Sequence, residues 1–122
     1  YNSNPLSANV AINKISSIKK VKFKKYLILG DMLELGSKSK KYHEQLSKVI
    51  NNSDIDKVFI KGSKSLVTYK NIIKSKRGNI LQHEDDVDFI LNDIIGNNDY
   101  LMIKGSNATG LNNLSKKIIR GH

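Results

Sequence analysis

The strongest constraint on this chain is a repeated pair of signals: a short apolar run closed by glycine, followed by an amphipathic stripe. Lys25-Tyr26-Leu27-Ile28-Leu29-Gly30, Lys57-Val58-Phe59-Ile60-Lys61-Gly62 and Tyr100-Leu101-Met102-Ile103-Lys104-Gly105 are such runs. A strand covered on both faces reads this way, because neither row of side chains faces water. The stripes follow helical spacing: Tyr42, Leu46, Val49 and Ile50; Leu66, Tyr69 and Ile73; Val87, Ile90, Leu91 and Ile94; Leu111, Leu114 and Ile118. Asn79-Ile80-Leu81-Gln82-His83 reads as a weaker strand. At the front, Asn4-Pro5 has the form of an N-cap followed by proline at the first helical position. Ala8, Ala11, Ile12, Ile15 and Ile18 then share a face, which predicts a helix from about Pro5 to Ser17.

Strand and helix in alternation predict an α/β fold: a three-layer, Rossmann-like domain with a mostly parallel sheet, helices on both faces and right-handed crossovers. The Gly30 strand is expected in the middle, with the Lys57 and Asn79 strands to one side and the Tyr100 strand to the other. With 122 residues the chain is one domain, 1–122, large enough to bury a core without staples.

Composition removes several classes of function. The chain has no cysteine, which excludes a disulfide framework, a thiolate zinc site and a cysteine nucleophile. No apolar stretch approaches the roughly 20 residues that span a bilayer, and no secretion signal opens the chain, so a soluble intracellular protein without a membrane partner is expected. The net charge of +10 comes from 21 Lys+Arg against 11 Asp+Glu, and Arg77 and Arg120 are the only arginines. With Asn and Ile also abundant, this reads as codon bias. Lys19, Lys20, Lys22, Lys24 and Lys25 stand around only Phe23 and Tyr26, a pattern that fits a solvated linker better than a nucleic-acid surface, so nucleic acid is not expected as a partner. The positive field still attracts anions, nucleotides included. A stand-alone nucleotide-, anion- or RNA-binding module is therefore the second reading.

Ligands of parallel sheets bind beyond the carboxyl ends of the strands, which directs attention to Gly30–Gly36, Gly62–Ser65 and Lys104–Gly110. Gly105 and Gly110 have the gap of a phosphate loop, but Leu111-Asn112 follows where Lys-Ser or Lys-Thr is needed, and no G-x-G-x-x-G occurs. Asp31 directly after its strand can accept a hydrogen bond or hold an ammonium, with Glu34 within the same loop; capping a helix is the plainer reading. Lys104 can hold a phosphate or carboxylate as a point charge, or simply be solvated. His43-Glu44 lacks a second histidine one turn on, and His83-Glu84-Asp85-Asp86 reads as a helix cap favoured by the dipole, so no metal site is expected.

Taken together, Tyr1-Asn2-Ser3-Asn4-Pro5-Leu6-Ser7, the run Leu27 to Gly36, His43, and Ile103-Lys104-Gly105-Ser106-Asn107 resemble the C-terminal domain of the Mur ligase family. The resemblance extends from the first residue to the last helix, and Gly30-Asp31-Met32-Leu33-Glu34-Leu35-Gly36 is its most specific block. It implies an ATP-dependent amide-bond ligase of peptidoglycan synthesis, of the type that adds D-alanyl-D-alanine to UDP-N-acetylmuramoyl-tripeptide. The Asp-Asn-Pro-Arg signature of the diaminopimelate-adding relatives does not occur here. In such enzymes ATP phosphorylates the terminal carboxylate of the tripeptide, and the dipeptide amine attacks the acyl phosphate.

The resemblance also implies three domains, of which this is the last. The nucleotide sugar sits mainly on the first, and ATP and Mg chiefly on a central domain that carries the phosphate loop missing here. By resemblance, Tyr1, Asn2 and Asn4 lie on the nucleotide side of the closed site. Asp31 and Lys104 are the implied catalytic residues, and Asp31, Ser106 and Asn107 the implied contacts to the dipeptide, with no covalent nucleophile and no metal ligand. Because the chain starts at Tyr1, within a motif, a piece of a longer polypeptide is expected: cytoplasmic, monomeric and inactive by itself.

Overall fold

The computed structural model describes residues 4–17, 23–96 and 98–105. The elements run α1 (Pro5–Ser17), β1 (Lys25–Gly30), α2 (Ser39–Asn51), β2 (Lys57–Lys61), α3 (Ser65–Asn71), β3 (Arg77–Ile80), α4 (Glu84–Phe89) and β4 (Tyr100–Lys104). The four strands form one parallel sheet in the order β3-β2-β1-β4, the arrangement expected from the sequence.

β1 is the keel of this sheet. All six of its residues are buried, and it is hydrogen-bonded to a neighbour on either side. Its side chains alternate between two cores. Leu27 and Leu29, with Val58 and Ile60 of β2, meet Ala8, Ile12 and Ile15 of α1 and Leu46 and Ile50 of α2. Tyr26 and Ile28, with Phe59, meet Leu81 and Ile90 on the opposite face. Each fully buried Leu or Ile contributes about 1.5–3 kcal/mol, so a strand apolar on both faces is stable only between two such layers.

α1 begins as its sequence signals. The Asn4 side chain accepts the Ser7 N–H at 2.9 Å, and Ser7 Oγ accepts the Asn4 N–H at 3.1 Å, a reciprocal cap ahead of Pro5.

Three elements differ in detail from the sequence reading. The weak strand starts at Arg77 and ends at Ile80, not at Asn79 to His83. Gly78 permits this, since a Cβ there would sit 2.7 Å from the Phe59 ring. The Gln82 and His83 amides instead bond to Asp86 Oδ2 at 2.8 and 3.0 Å, as part of the cap of α4.

The stripe of α3 stops short of Ile73, which is 49% exposed. Asn51 Oδ1 takes the Ile73 N–H, and Arg77 donates to the Lys70 and Ile72 carbonyls, so side chains replace the next helical turn.

The α4 stripe ends in a π-helical turn over Ile90–Ile94, closed by Ile95 N–H to the Ile90 carbonyl at 3.0 Å. The wider turn lets both Ile94 and Ile95 pack beside Ile90 against the second core. The stripe at Leu111, Leu114 and Ile118 lies outside the described residues.

Candidate functional site

Parallel register brings the predicted loops to one rim. Leu29 of β1 is level with Lys104 of β4, and Gly30 is level with Lys61 of β2. Asp31 and Lys104 therefore leave adjacent strands at the same carboxyl edge. Lys104 follows the side-chain row of Met102, which packs on the first core together with α1 and α2.

Asp31 is only 7% exposed. Its Oδ1 accepts the Ser65 N–H at 2.7 Å, so the carboxylate tethers the loop after β1 to the first turn of α3. Gly62 makes room for it: φ is +116° there, and a Cβ would lie 2.4 Å from Asp31 Oδ1. Backbone angle and space both require glycine at this position.

The rest of the loop is held from α2. His43 is 1% exposed. Its Nδ1 lies 2.8 Å from the Ser39 carbonyl and so carries the proton, while Nε2 accepts the Met32 N–H at 3.2 Å. Thr68 Oγ1 donates to the His43 carbonyl at 2.6 Å, which joins α3 to the same unit. Met32 is completely buried, and Leu35 packs on the first core.

Between these anchors Glu34 is exposed and has φ +63°, the one positive φ outside glycine among the described residues. The left-handed conformation costs an L-residue with a Cβ about 1–2 kcal/mol. Gly36 follows at φ +59°.

The opposite edge of the sheet is closed on itself. Lys25 has no exposed surface; its Nζ reaches Asp54 Oδ2 at 2.7 Å and the Ser16 carbonyl at 3.2 Å. Asp56 Oδ2 accepts the Lys25 N–H and Asp99 Oδ1 the Lys24 N–H, each at 2.8 Å. Partial burial pushes the Asp54 carboxyl up, but the Lys25 hydrogen bond and charge, helped by the Ser16 hydroxyl, hold it below the usual carboxylate range. Burial first, then the Asp99 and Asp56 charges, push the Tyr26 phenol up. The backbone N–H groups of Gln82 and His83 hold the Asp86 carboxyl down, as a helix cap does.

Sequence groups Lys25 with the linker lysines, yet it is the buried member of an ion pair. Its place at the head of a strand, with two aspartates just ahead of β2, is the available signal. The buried role of His43 has no signal in spacing.

Asn4 is tied into the cap of α1. Because Ser16 Oγ is bonded to Asp54 at the amino edge while Ala8, Ile12 and Ile15 lie along the first core, α1 runs back towards the carboxyl edge. Its 13 residues cover about 20 Å, the length of β1, which brings Asn4 to the level of the rim. Tyr1, Asn2, Ser106 and Asn107 lie outside the described residues, as do Lys19, Lys20 and Lys22. Among the described residues no three His, Asp or Glu side chains come together as metal ligands, and no helix is long and apolar enough to cross a membrane.

Comparison with known proteins bears on what this rim serves. The family model "Mur ligase, glutamate ligase domain" matches residues 1–107. The UDP-N-acetylmuramoyl-tripeptide--D-alanyl-D-alanine ligase of Bacillus subtilis is 30% identical over 122 residues, covering 98% of this chain and 26% of that protein. The enzyme of the same name from Buchnera aphidicola subsp. Baizongia pistaciae is 38% identical over 88 residues, 71% of this chain and 18% of that protein. The MurF ligase of Thermotoga maritima, solved in complex with ADP, superposes with a TM-score of 0.77 at 21% identity, over 95% of this chain and 26% of that one. MurF from Acinetobacter baumannii gives the same TM-score and identity over 98% of this chain. This chain thus spans about a quarter of the length of the first of these relatives. With the family model matched over nearly its whole length, the chain belongs to the Mur ligase family, as its glutamate ligase domain.

Proposed function

We propose that this chain is the acceptor-binding domain of an ATP-dependent ligase that adds D-alanyl-D-alanine to UDP-N-acetylmuramoyl-tripeptide. The observation that carries the reading is the single rim shared by the loop after β1 and the end of β4, Leu29 being level with Lys104, in a chain matched throughout to relatives of that name. Such a rim is half of a cleft, and the other half belongs to further domains of the enzyme.

The residues present suit an anionic partner. Lys61, Lys64 and Lys104 all lie at the carboxyl edge, Lys61 in the side-chain row of Phe59 and Lys104 in that of Met102, and such point charges can hold carboxylate or phosphoryl oxygens. ATP, when bound, supplies the phosphoryl group that activates the tripeptide carboxylate; it and Mg are assigned chiefly to a central domain. No described cluster on this chain would ligate the metal.

Within this reading Lys104, with Ser106 and Asn107, holds the oxygens of the activated carboxyl group or of the dipeptide. Asp31 lies beneath the acceptor site, where its buried negative charge favours an ammonium above it while Oδ1 keeps Ser65 in place. The dipeptide amine releases its proton and attacks the acyl phosphate; phosphate leaves and an amide forms. Tyr1, Asn2 and Asn4 close the nucleotide side. Catalysis is then positioning and charge stabilisation by a domain that closes on its partners. The enzyme is read as a cytoplasmic monomer that meets UDP-N-acetylmuramoyl-tripeptide through its other domains.

The test is to express the complete reading frame that encodes this chain. Supplied with ATP, Mg, UDP-N-acetylmuramoyl-tripeptide and D-alanyl-D-alanine, it should release phosphate and give the pentapeptide product by mass. Product with a single amino acid as acceptor, and none with the dipeptide, would overturn the assignment.

A further inference from the structure

The loop after β1 carries two carboxylates, and the fold treats them oppositely. Asp31 is drawn inward, 7% exposed, with Oδ1 on the Ser65 amide. Glu34, three residues on, is exposed and forms no hydrogen bond or ion pair among the described residues. Its backbone takes a conformation that favours glycine, φ +63°. That conformation is imposed by its neighbours. The Met32 N–H is fixed on His43 Nε2 at 3.2 Å, Met32 is fully buried, and Leu35 packs on the first core, so the chain between them must turn outward at Glu34. A residue with no internal partner, held in an unfavourable backbone state on the rim that faces the substrates, is strain retained for something other than folding.

We infer that Glu34 is the carboxylate that contacts the ammonium group of the incoming amine, while Asp31 serves as the buried strut that holds the loop. The inference rests on the ligase reading above and adds a specificity-determining residue to it. The chemistry suits the position. An exposed carboxylate offers oxygens to a primary ammonium and orders it over the rim; as the amine gives up its proton and attacks, the contact weakens, so Glu34 governs acceptor binding more than the chemical step. Lys104, on the adjacent strand, supplies the opposite charge at the other side of the same rim.

The experiment compares wild type, Glu34→Gln and Glu34→Gly in the complete enzyme, by steady-state kinetics for each substrate and by thermal denaturation. Glu34→Gln removes the charge and keeps the side-chain length. It should raise KM for D-alanyl-D-alanine about tenfold, with kcat and the KM for ATP and for the nucleotide tripeptide within twofold of wild type. Glu34→Gly should raise the dipeptide KM by at least as much and also raise the denaturation midpoint, because glycine relieves the backbone. Gain of stability with loss of acceptor affinity is a combination that a merely structural glutamate does not give. An unchanged dipeptide KM in both variants overturns the inference and leaves the ligase reading standing, as does an equal fall in kcat with all three acceptor and donor KM values altered together. A wild-type enzyme without ligase activity overturns both.

Discussion

The Asp31 carboxylate accepts the Ser65 N–H at 2.7 Å across 34 positions of sequence, and it fits because Gly62 beside it carries no side chain. Two loops that leave neighbouring strands are thereby fixed to each other at the rim where the substrates are proposed to bind.

Gly62→Ala should destabilise the domain by about 2–4 kcal/mol. The methyl group meets Asp31 Oδ1 at 2.4 Å and the backbone stays at φ +116°, so steric and conformational penalties add. Urea denaturation measures the loss. Asp31→Ala in the same chain should restore part of it by removing the clash; strict additivity of the two changes would contradict the proposed crowding.

His43→Ala leaves the buried Met32 N–H without its acceptor and opens a cavity, a loss of about 2–4 kcal/mol. Hydrogen exchange at the Met32 amide should accelerate in this variant more than at the amides of β2. His43→Gln, which returns an oxygen near the place of Nε2, should recover part of the protection. Equal exchange at Met32 in wild type and His43→Ala would show that the 3.2 Å contact does not hold the loop.

Acid should weaken the amino edge. Asp54 has its carboxyl held below the ordinary value by Lys25, once partial burial has been outweighed, so its contribution is complete above about pH 4 and disappears as pH falls through the lowered folded-state value. Asp86 behaves in the same direction through the Gln82 and His83 amides. Wild-type denaturation midpoints should therefore drop more steeply below about pH 4 than those of Asp54→Asn. At neutral pH that substitution should cost about 1–3 kcal/mol: it removes the negative charge paired with the buried Lys25 ammonium, which keeps its bond to the Ser16 carbonyl, and Asp54 itself is 39% exposed and partly screened. Parallel pH profiles for the two proteins would remove Asp54 from this role.

Lys104→Ala in the complete enzyme should lower kcat by about 10²–10³, the range for losing one charge-stabilising donor in a closed site, with the thermal midpoint little changed. The measurement is single-turnover amide formation at saturating substrates. Turnover within threefold of wild type would exclude Lys104 from the reacting centre.

Much of the fold is legible in the sequence because the signals for β1, β2 and β4 are strong and local. A run apolar on both faces and ended by glycine fits little besides a parallel strand covered by two layers, and β1, α1 and the strand order all match that reading. The misses occur where tertiary contact overrides pattern. Arg77 to Ile80 pairs as a strand because Gly78 lets it approach the Phe59 ring, which no periodicity reports. Ile73 falls out of α3 because Asn51 and Arg77, from other elements, capture the backbone there. The positions of Asp31, Glu34 and Lys104 on one rim follow from strand topology. That the first is buried against Ser65, and the second strained and exposed, depends on His43 and Gly62, whose roles exist only in three dimensions.

β1 also bears on how the proposed site would receive a ligand. Enclosed above and below, and bonded along both edges, it should be among the last segments to open to solvent, and the turn that leaves it is clamped at Met32. An arriving molecule then meets a surface whose shape has been set in advance by folding, so little ordering entropy remains to be lost on association. Under the proposed ligase reading, recognition at this edge is expected to be lock-and-key at the Gly30 to Gly36 turn, with adaptation on binding left to the approach of the further domains proposed above.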